Sequence, residues 1–430
     1  MKDHPQRIAI IGSGIAGLSA AWLLGRKHQV DLFERHAHPG MGAFNLNYDQ
    51  GNTQARIDVP LRAFNTCYYK NLVALYRAMG VEMQRTDHAA TYSTPGEGSQ
   101  SLKTRFGYEY IELGERAFPI LAGLNKLNLT SLKIIKDAIR FLLFARRDLN
   151  KAETHQHTIE QYLLHHRYSD AFIYEVLLPS FAAICTCSYE AVKAYPAETI
   201  IEFLTSGMLF NGIWRAKHGA EDAIEKMLQH CQAVHCNRAI QSITKKNGQI
   251  WVTDEEGTSL GYDHVILACQ ANQAIPLIPE SESQASRLLA KIIYERSEVV
   301  VHGDTRVAPP ENHHKSAVNF LVDPAHDKPM ASIWLNKIYP ELKNQPPLFQ
   351  TWNPLIEPKA STILGRAHFE RPIVSLESLK AIKALRELHR ERNRQLWFCG
   401  SYASEGVPLL ESAVQSAMTI SAHLGCSAPW

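Results

Sequence analysis

The stretch Ile8-Ala9-Ile10-Ile11-Gly12-Ser13-Gly14-Ile15-Ala16-Gly17 decides the fold of this chain. Its four leading apolar residues predict a buried strand of a parallel sheet, because such a strand is covered on both faces. The three glycines have the GxGxxG spacing, which permits a tight turn, close approach of the backbone to a pyrophosphate and close packing of helix on strand. Leu18–Leu24 then continues as a helix whose first N–H groups favour an anion.

An acidic residue follows this turn at an informative distance. Val30-Asp31-Leu32-Phe33 predicts a second strand, and Glu34 ends it, 20 residues after Gly14. A carboxylate there can accept hydrogen bonds from the hydroxyls of an adenosine ribose. The glycines alone could serve plain helix packing. Strand, glycines, helix, strand and acid within about 30 residues form the full context of a dinucleotide site, which we therefore predict.

Length and composition limit the class of protein. A chain of 430 residues predicts two domains, and 45% hydrophobic with 20% charged residues is ordinary for a globular enzyme. The net charge of +2 gives no argument for a nucleic-acid partner, so we expect none. The eight cysteines never form a CxxC pair, and Cys185-Thr186-Cys187 has no partner pair at zinc-site spacing. Buried thiols in a reducing compartment are favoured over metal ligands, and no metal is predicted.

The N-terminus imitates a secretory signal. Arg7 is followed by an apolar run to Leu24, as in the n- and h-regions of a signal peptide. Cleavage there would destroy the predicted nucleotide site, and no other segment approaches the roughly 18 apolar residues of a membrane span. We therefore expect a cytoplasmic protein.

The rest of the chain alternates between helical and β-rich patterns. Residues 71–79 predict an amphipathic helix, and residues 103–209 predict a largely helical region. Residues 234–269 are β-rich with Asn-Gly and Glu-Gly turns, and residues 292–335 predict strands of a second sheet. A strand, a loop and a helix over residues 396–424 close the chain.

One helical segment, Ser131 to Arg147, is both apolar and basic. Its predicted apolar face contains Leu132, Ile135, Ile139, Leu142 and Leu143. Much of the remaining surface is basic, with Lys133, Lys136, Arg140, Arg146 and Arg147. Such a helix can lie on an anionic membrane, but packing of the apolar face on a core is the favoured interpretation. Peripheral membrane contact stays open as the alternative.

The order of these segments resembles the FAD-dependent amine oxidase and phytoene desaturase superfamily. The resemblance is carried by the unit Gly12–Glu34, by the strand Asp263–Cys269 after a β-meander, and by Leu396–Gly400 with Glu411–Ala417 at the end. Within the superfamily the chain is most similar to predicted bacterial NAD/FAD-binding oxidoreductases. The stretches that carry this likeness are 57–65, 71–72, 334–337 and 348–354.

The resemblance implies an α/β fold. A Rossmann-type FAD-binding domain of the glutathione-reductase kind, with a parallel sheet and a β-meander, would combine with an α+β substrate domain as in flavin amine oxidases. The FAD-binding domain would comprise residues 1–65, 206–275 and 391–430. The substrate domain would comprise a helix-rich part, 66–205, and a sheet, 276–390.

The resemblance also implies non-covalent FAD and its contacts. Gly12, Ser13, Gly14, Ile15, Ala16 and Gly17 would hold the pyrophosphate, Glu34 the ribose, and Arg35 would flank the adenine. The second glycine loop would contribute Gly40, Gly42 and Ala43, and Leu61 and Arg62 would lie near the isoalloxazine ring. Ala239 or Ile240 would pair with the adenine edge, Gly400 and Ser401 would touch the ribityl-phosphate region, and Glu411, Ser412 and Val414 would bring the start of the last helix to the N1–C2=O2 edge.

The implied activity is abstraction of a hydride from a C–H bond of a hydrophobic small molecule, as in desaturases, dehydrogenases and oxidases. Amine oxidases carry a lysine on a substrate-domain strand, and the matching residues here, 298–304, contain none. His302 could act as a proton shuttle in that run, but a structural role is the favoured interpretation. The other hypotheses are an isomerase of unsaturated fatty acids without net redox change, an amine oxidase, a non-catalytic flavin-binding protein, and a protein that binds NAD alone.

Overall fold

The computed structural model describes residues 4–41, 44–50, 53–96, 102–114, 116–122, 128–309 and 316–430. The strands are β1 Arg7–Ile11, β2 Gln29–Phe33, β3 Leu46–Gln50, β4 Thr53–Ile57, β5 Met83–Thr86, β6 Ala90–Pro95, β7 Leu102–Leu113, β8 Arg116–Leu121, β9 Ile213–Ala216, β10 Ala233–His235, β11 Ile240–Lys246, β12 Gln249–Asp254, β13 Ser259–Tyr262, β14 His264–Leu267, β15 Tyr294–His302, β16 Val318–Leu321, β17 Met330–Trp334, β18 Phe349–Trp352, β19 Ile363–Pro372 and β20 Leu396–Phe398.

The helices alternate with these strands. They are α1 Ile15–Gly25, α2 Lys70–Ala78, α3 Leu129–Arg140, α4 Arg146–Asp148, α5 Ile159–His165, α6 Asp170–Phe172, α7 Leu178–Cys185, α8 Tyr189–Ala194, α9 Ala197–Leu204, α10 Gly219–Leu228, α11 Ala271–Ala274, α12 Ser283–Leu289, α13 Leu376–Leu388 and α14 Leu410–His423. Two π-helical turns, Phe141–Ala145 and Ile173–Leu177, interrupt the helical region. None of the described helices is both long enough and apolar enough to cross a membrane.

A five-stranded parallel sheet forms the first layer, in the order β10-β2-β1-β14-β20. Residues Ile8–Ile11 of the central strand pair with Val30–Phe33 on one side and His264–Leu267 on the other. They are buried, as the apolar run predicts. Helix α1 packs on this sheet beside α10 and α14, and the antiparallel meander β11-β12-β13 lies within the chain between β10 and β14. The predicted α/β fold with a Rossmann-type unit is confirmed.

An eight-stranded mixed sheet forms the second core, in the order β19-β15-β18-β17-β16-β6-β7-β8. The prediction that residues 103–150 are helical is wrong for its first part, because β7 and β8 are long strands of this sheet. Tyr108 shows the cause, since it pairs with Ala90 on one side and with Leu121 on the other. Pairing with a neighbouring strand decides the conformation of such segments more than local propensity does.

The helical segment that begins at Leu129 differs from its prediction in orientation. Its buried positions are Ser131, Ile134 and Asp137 in α3, and Phe141 and Ala145 in the π turn. Three residues of the predicted packing face, Leu132, Ile139 and Leu143, are 48%, 51% and 59% exposed. The favoured interpretation, in which that face packs on a core, is therefore wrong for these three.

A polar group on the inner side explains this orientation. The Asp137 carboxylate accepts a hydrogen bond from the Ser169 backbone N–H at 2.8 Å and lies 3.5 Å from Arg140. The buried carboxylate therefore has partners, and the helix turns its apolar stripe outward.

Candidate functional site

The glycine turn before α1 is built by backbone contacts. A Cβ on Gly17 would lie 2.0 Å from the Gly12 carbonyl oxygen, and Gly12 itself has φ +103°. At Gly14, in contrast, a Cβ would meet nothing within 4 Å. Gly12 and Gly17 therefore serve close packing, whereas Gly14 borders open space. Helix α1 has no acidic residue in its first turn, which favours an anion at this helix start.

Glu34 follows β2 at the carboxyl end of the parallel sheet. Its carboxylate is buried and accepts hydrogen bonds from the Ser13 backbone N–H at 3.1 Å and the Ser13 hydroxyl at 2.5 Å. The His36 backbone N–H donates to its other oxygen at 2.9 Å. The Gly40 N–H donates to the Ser13 hydroxyl oxygen at 2.6 Å, so the loop after Glu34 returns to the glycine turn. Gly42 and Ala43 lie outside the described residues.

The start of the meander lies beside this acid. The Arg238 backbone N–H donates to the Glu34 carbonyl oxygen at 2.8 Å, which brings Ala239 and Ile240 next to the end of β2. The Ala239 carbonyl accepts from the Glu255 N–H at 3.1 Å. Arg35 is exposed beside the same strand end. The residues predicted to surround an adenosine therefore lie together in space.

The closing segment lies across the sheet from these residues. Gly400 follows β20 and its N–H donates to the Ser416 hydroxyl at 3.0 Å, with Ser401 next in the chain. Ser412 and Val414 are buried in α14, and the Ser412 hydroxyl donates to the Val407 carbonyl at 2.6 Å. No side chain of the described residues caps the start of α14. Its first N–H groups are thus free of side-chain partners, as a helix start that faces a ligand requires.

The Glu411 side chain contacts the neighbouring helix α2, although its backbone belongs to the first turn of α14. Its carboxylate accepts the backbone N–H groups of Asn71 and Leu72 at 3.0–3.1 Å and the Asn71 side-chain amide at 2.7 Å. The carboxylate therefore caps the start of α2 and ties it to α14. At Glu411, therefore, only the backbone would be free to contact a cofactor directly.

A cavity of about 480 Å³ adjoins the glycine turn. At one end it is bordered by Gly14, Ile15, Gly40 and Met41. The other lining residues include Leu61, Arg62, Phe64, Tyr69, His88, Tyr92, Tyr108, Thr186, Phe203, Phe320, Ile333, Trp352, Phe369, Arg371, Leu409 and Leu410. This volume is within the range of small-molecule sites, and most of the lining is apolar.

Two arginines, one aspartate and one histidine line this cavity. Arg62 donates to the Pro60 carbonyl at 3.2 Å, and burial lowers the pKa of Arg62 and of Arg371 from the usual value. Asp87 lies 3.5 Å from Lys337. Burial lowers the pKa of His88 to about 4, so its imidazole is neutral near pH 7. Its Nε2 has no hydrogen-bond partner among the described residues.

His302, the predicted proton shuttle, does not line this cavity. It is fully buried, with Nε2 2.8 Å from the Thr351 hydroxyl and Nδ1 accepting the Asp304 N–H at 3.1 Å. The Thr351 hydroxyl donates onward to Ser332, so Nε2 carries the proton. Burial lowers the pKa of His302 to about 4. The geometry fits the structural role, which was the favoured interpretation.

Sequence reasoning missed Arg371, Tyr69 and His88. Each is a single residue outside any motif, and each comes from a different segment: the end of β19, the residue before α2 and the turn before β6. Only long-range pairing, such as that of β6 with β16, brings them to one cavity. No spacing in the sequence could have signalled them.

Comparisons with known proteins agree with this geometry. The NAD(P)-binding Rossmann-like domain family matches residues 10–79. None of the curated proteins matches the sequence. Among solved structures, putrescine oxidase bound to putrescine is 12% identical with a TM-score of 0.65, covering 98% of this chain and 99% of that one.

Two further structures are equally similar in shape. A candidate protoporphyrinogen oxidase from Exiguobacterium sp. 255-15 is 15% identical, with a TM-score of 0.63 and coverage of 98% and 99%. A CLA-producing fatty acid isomerase from P. acnes is 14% identical, with a TM-score of 0.63 and coverage of 96% and 97%. At these identities the likeness shows the fold alone. The chain therefore has a Rossmann-type nucleotide-binding unit, and it shares its overall fold with these oxidases and this isomerase.

Proposed function

We propose that the protein is an FAD-dependent oxidoreductase that abstracts a hydride from a C–H bond of a hydrophobic small molecule. The observation that carries this proposal is the continuity of the glycine turn with an apolar cavity. Gly14 and Ile15 of the nucleotide turn line the same space as Trp352 and Phe369 of the eight-stranded sheet. A cofactor held at the turn would reach a substrate held in the cavity.

The residues of the turn fit FAD. Open space at Gly14 accommodates a pyrophosphate, and Glu34 is fixed where it can accept from ribose hydroxyls. The uncapped start of α14 favours negative charge near Leu409 and Leu410, which line the cavity. Such a closing helix favours FAD over NAD alone.

Bound FAD would supply the hydride acceptor. The chain would position the substrate and exclude water from the cavity. The apolar lining excludes water from the reacting carbon, and the neutral His88 faces the same space. Because the cofactor site and the cavity are joined, a non-catalytic flavin-binding role fits the structure less well.

Amine oxidation also fits less well. The cavity has aromatic lining residues, but the positive charges of Arg62 and Arg371 repel a cationic substrate, and its Asp87 already faces Lys337. The two arginines support a second candidate, the isomerisation of an unsaturated fatty acid without net redox change. The fold of the P. acnes fatty acid isomerase supports the same candidate.

We place this activity in the cytoplasm. All eight cysteines are free, and Cys185, Cys187, Cys399 and Cys426 are buried. Free thiols throughout the chain suit a reducing compartment.

An anaerobic absorbance spectrum tests the proposal. Purified protein is expected to show flavin bands that bleach when an unsaturated fatty acid is added from a panel that also contains terpenoids and amines. Bands that persist while the double-bond pattern of the fatty acid changes would identify the isomerase instead. Absence of flavin bands, even after incubation with FAD, contradicts both candidates.

A further inference from the structure

Two guanidinium groups share one apolar cavity. Arg371 lies at the end of β19, with its guanidinium carbon 6.0 Å from the centroid of the Trp352 ring. Arg62 reaches the cavity from the loop after β4. No hydrogen bond or ion pair ties the Arg371 side chain to another residue in the part of the chain that the structure describes. Burial, with the positive charge of Arg62 acting in the same direction, lowers the pKa of Arg371.

The nearby carboxylates are committed elsewhere. Asp58, the acid that acts on Arg62, accepts the Ala220 N–H at the start of α10 at 3.0 Å and the Asn45 amide at 3.2 Å. Asp87, the acid in the cavity lining, faces Lys337. The cavity therefore has an excess of positive charge, and buried charge of this kind requires a counter-charge.

We propose that Arg371, assisted by Arg62, binds the carboxylate of a substrate whose remaining length is apolar. Arginine matches a carboxylate with two parallel N–H donors, which gives the strongest charge-assisted hydrogen bonds. Tyr69 and Thr186 line the same space, and the buried Thr186 hydroxyl has no partner among the described residues. This inference rests on the proposed function and names its substrate class as long-chain carboxylic acids.

The test compares ligands that differ only in the head group. Oleate, methyl oleate and oleylamine are titrated into the FAD-loaded protein by calorimetry. We expect oleate to bind about tenfold tighter than the ester, and the amine to bind most weakly, because one charge-assisted hydrogen bond is worth about that factor.

Variants test whether Arg371 causes the preference for the acid over the ester. Arg371→Met keeps an unbranched apolar stem without the charge and is expected to bind oleate and methyl oleate equally, while Arg371→Lys restores part of the preference. Arg366→Met is the matched control, because Arg366 lies on the same strand but outside the cavity, 2.8 Å from Glu298. Equal binding of acid and ester by the unaltered protein, or an unchanged preference in Arg371→Met, overturns the proposal.

The outcomes separate this inference from the proposed function. If the protein takes up no FAD, the proposed function fails, yet the preference for oleate and its loss in Arg371→Met are still measured by calorimetry. If FAD binds and the acid has no advantage, only the carboxylate site fails.

An independent observation concerns the outer surface of residues 129–147. Leu129, Leu132, Ile139, Leu143 and Phe144 are 48–80% exposed there. The basic residues Lys133, Lys136, Arg146 and Arg147 are exposed between them, and Arg147 lies 5.5 Å from the Phe144 ring centroid. The acid within this stretch, Asp137, is buried. We call these nine residues the basic-apolar face.

A neighbouring hairpin extends the apolar surface. Ile111, Leu113, Phe118 and Ile120 of β7 and β8 are 37–66% exposed. The inner side of α3, through Ile134 and Ile135, packs into the same core as Leu121 of β8. Exposed apolar patches mark interaction sites, and the nine residues of the basic-apolar face include four cations and no anion, which suits a surface of negative charge.

We infer that the basic-apolar face docks on an anionic lipid bilayer. The test is co-sedimentation with vesicles of phosphatidylcholine alone or mixed with phosphatidylglycerol. Binding is expected to the mixed vesicles, to weaken with salt, and to fall about tenfold in the double variant Leu143→Ser, Phe144→Ser. Ile293→Ser is the control, because Ile293 is 64% exposed outside this face.

Two results would overturn the bilayer as the occupant. One is equal sedimentation of the double variant and the unaltered protein with mixed vesicles. The other is self-association in the absence of lipid, seen by analytical ultracentrifugation and abolished by the double variant, which would make the face an interface between copies of the chain.

Discussion

The two ends of the candidate site are built in different ways. The nucleotide end consists of backbone groups from one short run, Gly12–Gly17, together with the side chain of Glu34. The cavity end consists of side chains contributed by strands, helices and loops between residues 60 and 410. The nucleotide end tolerates few substitutions at Gly12 and Gly17, because an added Cβ meets main-chain atoms there. Side-chain sites tolerate many, and their specificity depends on a few polar groups such as Arg371.

A pair of glycine variants would break the nucleotide end in two distinct ways, and the first has the largest effect expected. Gly17→Ala places a Cβ 2.0 Å from the Gly12 carbonyl, so α1 has to move off the sheet. We expect loss of folded protein, measured by circular dichroism. Gly14→Ala meets nothing within 4 Å and is expected to fold, with loss of flavin from the purified protein. Normal folding of Gly17→Ala would contradict the packing role.

Glu34 gives the next largest effect. Glu34→Ala removes the carboxylate that Ser13 and His36 hold at the sheet edge. We expect FAD to bind at least about tenfold more weakly, measured by fluorescence titration of the apoprotein. Glu34→Gln keeps an acceptor oxygen and is expected to lose less. Unchanged flavin retention in the alanine variant would count against a ribose contact.

Glu411 connects the two ends, because its carboxylate on α14 caps α2, whose preceding residue Tyr69 lines the cavity. Glu411→Ala leaves the Asn71 and Leu72 N–H groups without this acceptor. We expect a loss of about 3 kcal/mol of unfolding free energy and a fall in Tm of about 3 °C, measured by thermal denaturation with and without FAD. A Tm equal to that of the unaltered protein would show that water replaces the carboxylate.

The two ends also differ in how far the sequence predicts them. The strand, turn and helix over Arg7–Gly25 were predictable, because consecutive residues specify them through local spacing. Strands β7 and β8 were not, because the pairing of β7 with β6 and of β8 with β7 outweighs their local pattern. Arg371 and His88 carried no signal at all, since their role depends on which distant strands meet. The orientation of α3 depends on a tertiary contact of Asp137, which no helical periodicity contains.

His302 and His88 extend the comparison to the pH dependence of stability. Burial lowers the pKa of both His302 and His88 to about 4, below the usual value of about 6.5. Only His88 lines the cavity. The unfolded chain binds more protons than the folded one between these values, so each imidazole lowers stability as the pH falls from about 6.5 to about 4.

His302→Gln separates a structural from a catalytic histidine. The glutamine amide can still donate to Thr351, but it does not titrate. The fall in Tm between about pH 6.5 and pH 4.5 is therefore expected to be smaller than in the unaltered protein, while the spectral response to substrate stays unchanged. His326→Gln, at an exposed position, is the control and leaves the acid sensitivity as it was. A lost spectral response in His302→Gln would contradict the structural role and return His302 to the mechanism.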